Sequence, residues 1–442
     1  MIASLPAVSA AVDAPRVVDA FRAMDRAGVT WAVLRGLDEL VEARGDVDVL
    51  ARGGSGAFLR SALAGAGFVE APRRGRGSHR FFYGFDARRG DWVKVDVVDD
   101  LAFGRWAELD SGLAASALAR RRQVEIPGVG RVWVLDGDDA AWAELLHLVL
   151  DPSPASPRRC ERIAAAGTAC SRADTTSPFA VWAGATDRKA AQDLVLAASQ
   201  GRCNDAREAA ASIRSRALRS RPAAAIARLA RTVVRRRLAR LPTPKRSRGF
   251  VVAVLGPDGA GKSALLERLA AAAPIPVRAE YLGAYPASPR DGGGQSGAPG
   301  GVPVVRFLRR LLRLWVAGVR GRIHARSGGL TLYDRHPIEV RLRKGGSVRR
   351  RLLRAAVPPP DLFLVLDAPA SILVERKAEW PIEEIERQRA GYRTLLERPD
   401  SVRIDAAAPA AEVAREAVAT IWAAYATRST HDQARGAPET AR

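Results

Sequence analysis

Apolar positions in the first half of the chain recur first with a helical and then with an alternating period. From Val17 to Ala27 they fall at three- and four-residue spacing, which predicts a helix, and β-type runs follow at Trp31–Leu34, Val47–Leu50, Arg80–Phe85 and Trp92–Val98. The turn-rich segment Asp86-Ala87-Arg88-Arg89-Gly90-Asp91 makes the last two a hairpin, and Val132–Leu135 closes a small α/β unit. Ala140–Leu150 then reads as a helix, broken by Pro152, Pro154 and Pro157. Ala-rich helical segments without strand pattern continue to Leu238. Arginines crowd Ile213 to Arg248, and the stretch Leu241-Pro242-Thr243-Pro244-Lys245 has linker composition. From Gly249 the pattern changes again. Apolar runs at Phe250–Leu255, Val277–Leu282, Leu330–Tyr333, Leu362–Leu366 and Val402–Ile404 alternate with helical segments, as in a parallel, doubly wound sheet. The expected organisation is a small α/β domain over 1–139, a helical region with a basic linker over 140–248, a second α/β domain over 249–426 and a disordered tail over 427–442. The Gly-, Pro- and Ser-rich stretch Pro286–Gly301 is expected to be a mobile loop.

Size and charge refine this picture without choosing a function. A chain of 442 residues suits two or three units, each able to bury its own core. Its 70 Lys and Arg against 48 Asp and Glu give a net charge of +22 and favour polyanionic partners: nucleotides, nucleic acid or an anionic membrane. No apolar run is long enough to span a bilayer, and the first twenty residues lack a basic start and contain Asp13, so a cytoplasmic protein is expected. Cys160, Cys170 and Cys203 are odd in number and form no C-x-x-C arrangement, which reads as buried thiols and not as a disulfide or zinc framework.

The most specific motif is Gly256-Pro257-Asp258-Gly259-Ala260-Gly261-Lys262-Ser263, which matches G-x-x-x-x-G-K-[ST] between a buried strand and a helix. Its glycines let backbone N–H groups converge on phosphate oxygens, and the helix N-terminus adds a favourable dipole. Lys262 reaches the β and γ phosphates and Ser263 can hold Mg²⁺, so ATP and Mg²⁺ are the expected cofactors, bound by Gly256, Asp258, Gly259, Ala260, Gly261, Lys262 and Ser263.

With Asp258 inside it, this loop resembles that of the thymidylate kinases. The resemblance continues in Tyr333-Asp334-Arg335-His336, similar to that family's Asp-Arg-Tyr, and in Pro360-Asp361-Leu362-Phe363-Leu364-Val365-Leu366-Asp367-Ala368-Pro369 with Leu373-Val374-Glu375-Arg376. Glu383 to Tyr392 is similar to the family's lid and following helix. The resemblance covers roughly Gly249 to Ala426 and implies a P-loop parallel sheet of the nucleoside monophosphate kinase type. It places Asp334 near metal and acceptor, Arg335 on phosphate, and Arg387 and Arg389 near the transferred phosphoryl group. Departures concern the acceptor. Tyr281-Leu282-Gly283-Ala284-Tyr285-Pro286 replaces an Arg-Glu-Pro-type signature, Pro337-Ile338-Glu339-Val340-Arg341 replaces the usual Ser and Gln, and Val305–Ile323 reads as a basic amphipathic helix.

In the first unit, Gly45-Asp46-Val47-Asp48-Val49-Leu50 and Val93-Lys94-Val95-Asp96-Val97-Val98 each set acids among apolar residues. Asp46 and Asp48, two apart on a strand, share a face, and Asp96 on a neighbouring strand could join them to hold Mg²⁺. The pattern looks like the nucleotidyltransferase superfamily, which would put triphosphate binding at Gly36, although Leu37 stands where that family prefers Ser. His79, His147 and His336 have no ligand-like spacing and are given no role. Three functional expectations follow. The first is an ATP-dependent phosphotransferase acting on a nucleoside monophosphate or other small acceptor. The second is a metal-dependent nucleotidyltransferase using Asp46, Asp48 and Asp96, and the third is a non-catalytic ATP sensor with a basic docking surface.

Overall fold

The structure is a computed structural model that describes residues 16–35, 46–72, 75–151, 153–154, 156–174, 176–238, 249–283, 303–342 and 348–434. Gly36, Leu37, the 241–245 linker and the 286–301 loop lie outside the described residues. The chain divides into two compact units, with 10–86 and 91–239 forming the bulk of one and 240–425 the bulk of the other.

The first unit holds α1 (Arg16–Arg26), β1 (Trp31–Arg35), β2 (Asp46–Ala51), α2 (Gly56–Gly65), β3 (Val69–Glu70), β4 (Arg80–Asp86) and β5 (Asp91–Val98). These are followed by β6 (Ala102–Phe103), β7 (Leu109–Asp110), α3 (Ala114–Ala119), β8 (Arg122–Ile126) and β9 (Gly130–Val134). The main sheet runs β3-β4-β5-β2-β1-β9-β8, and β4 and β5 form the expected hairpin. Helices α4 (Gly137–Leu150), α5 (Pro157–Cys170), α6 (Pro178–Ser199), α7 (Cys203–Ser220) and α8 (Pro222–Leu238) complete it. Side-chain caps start three of them: Asp136 accepts from Asp138 N, Ser156 from Arg159 N and Ser177 from Phe179 N. Pro157 and Pro178 follow their caps, where a missing N–H costs nothing. The helical region shares its core with the sheet, since Ala32, Leu50 and Val98 pack in one cluster with Leu145, Leu146, Ile163, Phe179 and Leu194.

The cysteine reading is corrected here. Cys160 and Cys203 form a disulfide between α5 and the start of α7, and Cys170 alone is a free buried thiol. Helix packing brings Cα atoms 43 residues apart in sequence to within 5.4 Å.

In the second unit, β10 (Phe250–Leu255), α9 (Lys262–Ala272), β11 (Val277–Tyr281), α10 (Pro303–Arg326) and β12 (Leu330–Asp334) come first. After them come α11 (Val348–Ala355), β13 (Leu362–Asp367), α12 (Ala370–Arg376), α13 (Ile382–Arg393), β14 (Ser401–Asp405) and α14 (Ala410–Ala434). The five strands are all parallel, in the order β11-β12-β10-β13-β14. Every residue of β10 and β13 is buried, and all but Asp367 at the end of β13 are apolar, as required of strands covered on both faces. The order reverses direction on either side of β10, the topology in which open α/β sheets bind ligands at the C-terminal ends of their strands. The disordered tail expected from 427 begins as helix, because α14 continues to Ala434.

Candidate functional site

The loop leaving β10 must turn tightly into α9, and its glycines permit this. Gly256, Gly259 and Gly261 have φ of 149°, 84° and 82°, and Gly261 is the left-handed N-cap of α9. At two of them packing also excludes a side chain, since a Cβ would sit 2.7 Å from the Leu366 carbonyl oxygen at Gly256 and 2.6 Å from that of Leu373 at Gly259. Ala260 is buried and Ser263 exposed on the first turn of α9. Lys262 is folded inward, its ammonium donating to the Gly256 and Pro257 carbonyls at 2.9 and 2.8 Å. Burial, aided by nearby Arg335, pushes its pKa down to about 8 against the pull of Asp258, Glu339 and Asp334.

β12 delivers the second group. Asp334 pairs in register with Val254 of β10 and Tyr281 of β11, at the strand end beside the loop. Arg335 follows in a left-handed conformation, φ 66°, unusual for a residue with a side chain. Its guanidinium donates to Asp258 Oδ1 at 2.6 Å and lies 3.7 Å from Glu339. Burial would raise the Asp258 pKa, but Lys262 and Arg335 hold it below the ordinary carboxylate value. Burial raises the Glu339 pKa against the opposing pull of Arg335 and Lys262, and Tyr392 donates to Glu339 Oε1 at 2.9 Å. His336 is buried between Tyr333 and Phe363, pushed down to about 4 by burial, and accepts from Ile338 N through Nδ1.

The two lid-side arginines separate. Arg389 is buried and donates to Asp367 Oδ1, at the end of β13, at 2.9 Å and to Glu386. Arg393 and Arg403 also reach Asp367, at 3.1 and 3.4 Å. Arg387 is exposed and paired with Glu384 one turn away. What α13 does bring to the loop is Gln388, whose side chain accepts from Asp258 N at 3.4 Å. Gln388 and Tyr392 had no motif to announce their roles, because they meet Asp258 and Glu339 at positions 130 and 53 residues away.

In the first unit, parallel pairing of β2 and β5 sets Asp46 opposite Lys94 and Asp48 opposite Asp96. Asp48 and Asp96 are therefore neighbours on one face, as expected. Each acid has a partner: Lys94 on Asp46, Arg35 on Asp48 at 2.7 Å, and the His79 ring nitrogen Nδ1 on Asp96 at 2.9 Å. Among the described residues no group of three or more His, Cys, Asp or Glu converges to hold a metal ion. Asp46 and Asp48 thus stand in ion pairs with Lys94 and Arg35, and His79 is the partner of Asp96 that spacing could not reveal. A small cavity beside them is lined by Arg35, Asp48, His79, Leu101, Phe103 and His147.

Fold and site together define the second unit as a parallel α/β domain with a glycine-rich loop at the C-terminal ends of its strands. Compared with known proteins, the chain matches no family model. The solved thymidylate kinase of Candida albicans aligns with 42% of this chain and 94% of its own, at 14% identity and a TM-score of 0.29.

Proposed function

We propose that the second unit is an ATP-dependent phosphotransferase that moves the γ-phosphoryl group to a nucleoside monophosphate or another small acceptor. One observation carries the reading. A loop with three positive-φ glycines opens onto a helix N-terminus, with Lys262, Asp258 and Arg335 in one connected cluster beside it. Backbone N–H groups in such a loop suit phosphate oxygens, and the backbone at Gly256 and Gly259 fills the space a Cβ would need. A triphosphate gives the Lys262 ammonium a polyanion in place of two neutral carbonyls, and charge-assisted bonds are the stronger ones. The Ser263 hydroxyl and the Asp334 carboxylate are hard oxygen donors of the kind Mg²⁺ takes, and the ion would supply charge neutralisation on the phosphates.

Transfer forms a bond from the acceptor oxygen to the γ phosphorus as the bond to ADP breaks, and it requires positioning and charge cancellation more than covalent help. Arg335, fixed by Asp258 and backed by Glu339, would orient the acceptor's anionic group. The proposed transfer runs through the second unit and uses none of Asp46, Asp48 and Asp96.

The test is ATP consumption and product formation by the whole chain across nucleoside monophosphates, sugars and sugar phosphates, with Lys262→Ala as control. Loss of at least about a hundredfold in turnover is expected for the variant. Full turnover in Lys262→Ala would overturn the reading, and ATP binding without turnover would favour the sensor.

A further inference from the structure

Helix α10 has three faces instead of two. Leu314, Ala317 and Ala325 are buried, with Phe307 and Leu311 packed against the same core. This side is locked. Tyr333 OH donates to the Gly318 carbonyl at 3.2 Å, Thr331 donates to that of Gly321 at 2.8 Å, and a Cβ at Gly321 would lie 2.5 Å from the Tyr333 hydroxyl. The helix therefore cannot roll to bury anything else. On the second face Val304, Leu308, Leu312 and Trp315 recur at four-, four- and three-residue spacing, and they remain 51, 53, 59 and 54% exposed. The third face, about a third of a turn away, carries the exposed Arg306, Arg309 and Arg320. α11 adjoins α10 through Arg349, whose guanidinium lies 5.7 Å from the Phe307 ring, and it adds exposed Val348 and Leu352 beside exposed Arg351.

We propose that this face docks on the surface of an anionic lipid bilayer, with the Leu308–Leu312–Trp315 stripe entering the headgroup–acyl boundary and the arginines contacting lipid phosphates. Lipid is the partner that uses both halves of the surface. Nucleic acid would satisfy the arginines and leave the aliphatic stripe wet. A second copy would cover the stripe while setting Arg306, Arg309 and Arg320 against the same charges. Amphipathic helices with a cationic face and a Trp at the boundary bind by burying apolar area with added attraction to acidic headgroups. Attachment would be peripheral, since no helix among the described residues is long and apolar enough to cross a membrane.

Flotation of the full chain with phosphatidylglycerol-containing vesicles and with pure phosphatidylcholine vesicles tests this. Binding to the anionic vesicles is expected, weakening with salt. Each of Arg306→Gln and Arg309→Gln should lower the partition coefficient about fivefold. The triple variant Leu308→Gln/Leu312→Gln/Trp315→Gln should abolish flotation while unfolding at the parent's temperature, because those side chains are already solvated. The exposed apolar side of α8 provides a control, and Ile226→Gln/Val234→Gln should float as the parent does. No flotation, flotation unaffected by the triple variant, loss confined to the α8 variant, or a parent dimer that the triple variant renders monomeric without vesicle binding would each overturn the proposal. None of these outcomes depends on phosphotransfer.

Discussion

Replacing Arg389 by Met should damage stability, and replacing Arg387 by Met should not. The Arg389 side chain is 10% exposed and the Asp367 carboxylate it meets at 2.9 Å is 4% exposed. Breaking a buried pair by removing one partner costs about 3–5 kcal/mol, because the other charge stays desolvated. Asp367 keeps Arg393 and Arg403, but these are 53 and 54% exposed, so solvent screens them. The expected loss therefore falls below that range, at about 2–3 kcal/mol. Arg387 is 75% exposed and pairs only within its own helix in the contacts seen, so its loss should change stability by less than about 0.5 kcal/mol. The assay is calorimetric unfolding of the whole chain. A chain with two units need not unfold in one step, so the transition to follow is the one that Mg·ATP raises. The Arg389 variant should also shift the acid limb. Asp367 is held below 3.8 by Arg389 and Arg393 against burial, so its contribution is present above that value and is lost as pH falls through the lower folded one. With Arg389 gone, acid unfolding should begin at higher pH. An Arg389 variant as stable as the parent but devoid of transfer would refute this reasoning and return the arginine to the phosphoryl group.

Two further outcomes follow from the loop. With the Lys262 pKa near 8 in the free protein and near 10.5 when unfolded, the free folded state binds fewer protons than the unfolded one between those values, so stability should rise with pH across that window. Triphosphate binding should take up a proton there, read as a dependence of calorimetric binding heat on buffer ionisation enthalpy; no uptake at pH 9 would mean the ammonium is not drawn to the ligand. Gly259→Ala combines a φ of 84° with a Cβ 2.6 Å from the Leu373 carbonyl, and it should cost about 3 kcal/mol or more and abolish ATP binding. Unchanged affinity in equilibrium dialysis would show that the loop adopts another shape on binding.

Local chemistry was legible in the sequence. The glycine-rich loop reads directly because its eight contiguous residues impose their own backbone, and apolar runs announced β10 and β13 as strands of a parallel sheet. Period-two spacing correctly placed Asp46 and Asp48 on one face. Everything set by register or packing lay beyond it. Opposite Asp46 stands Lys94, because β2 and β5 align there, and a one-residue slip would have offered Val93 or Val95 instead. Arg387 and Arg389 differ by about 200° around α13, and only docking of that helix on β13 decides which of them meets Asp367. Cys160 and Cys203 became partners because two helices packed, across 43 residues that carry no spacing signal. Sequence determines what a residue can do where the neighbours are its own chain segment; tertiary structure decides it where the partner arrives from elsewhere, since charge and burial act through distance in space.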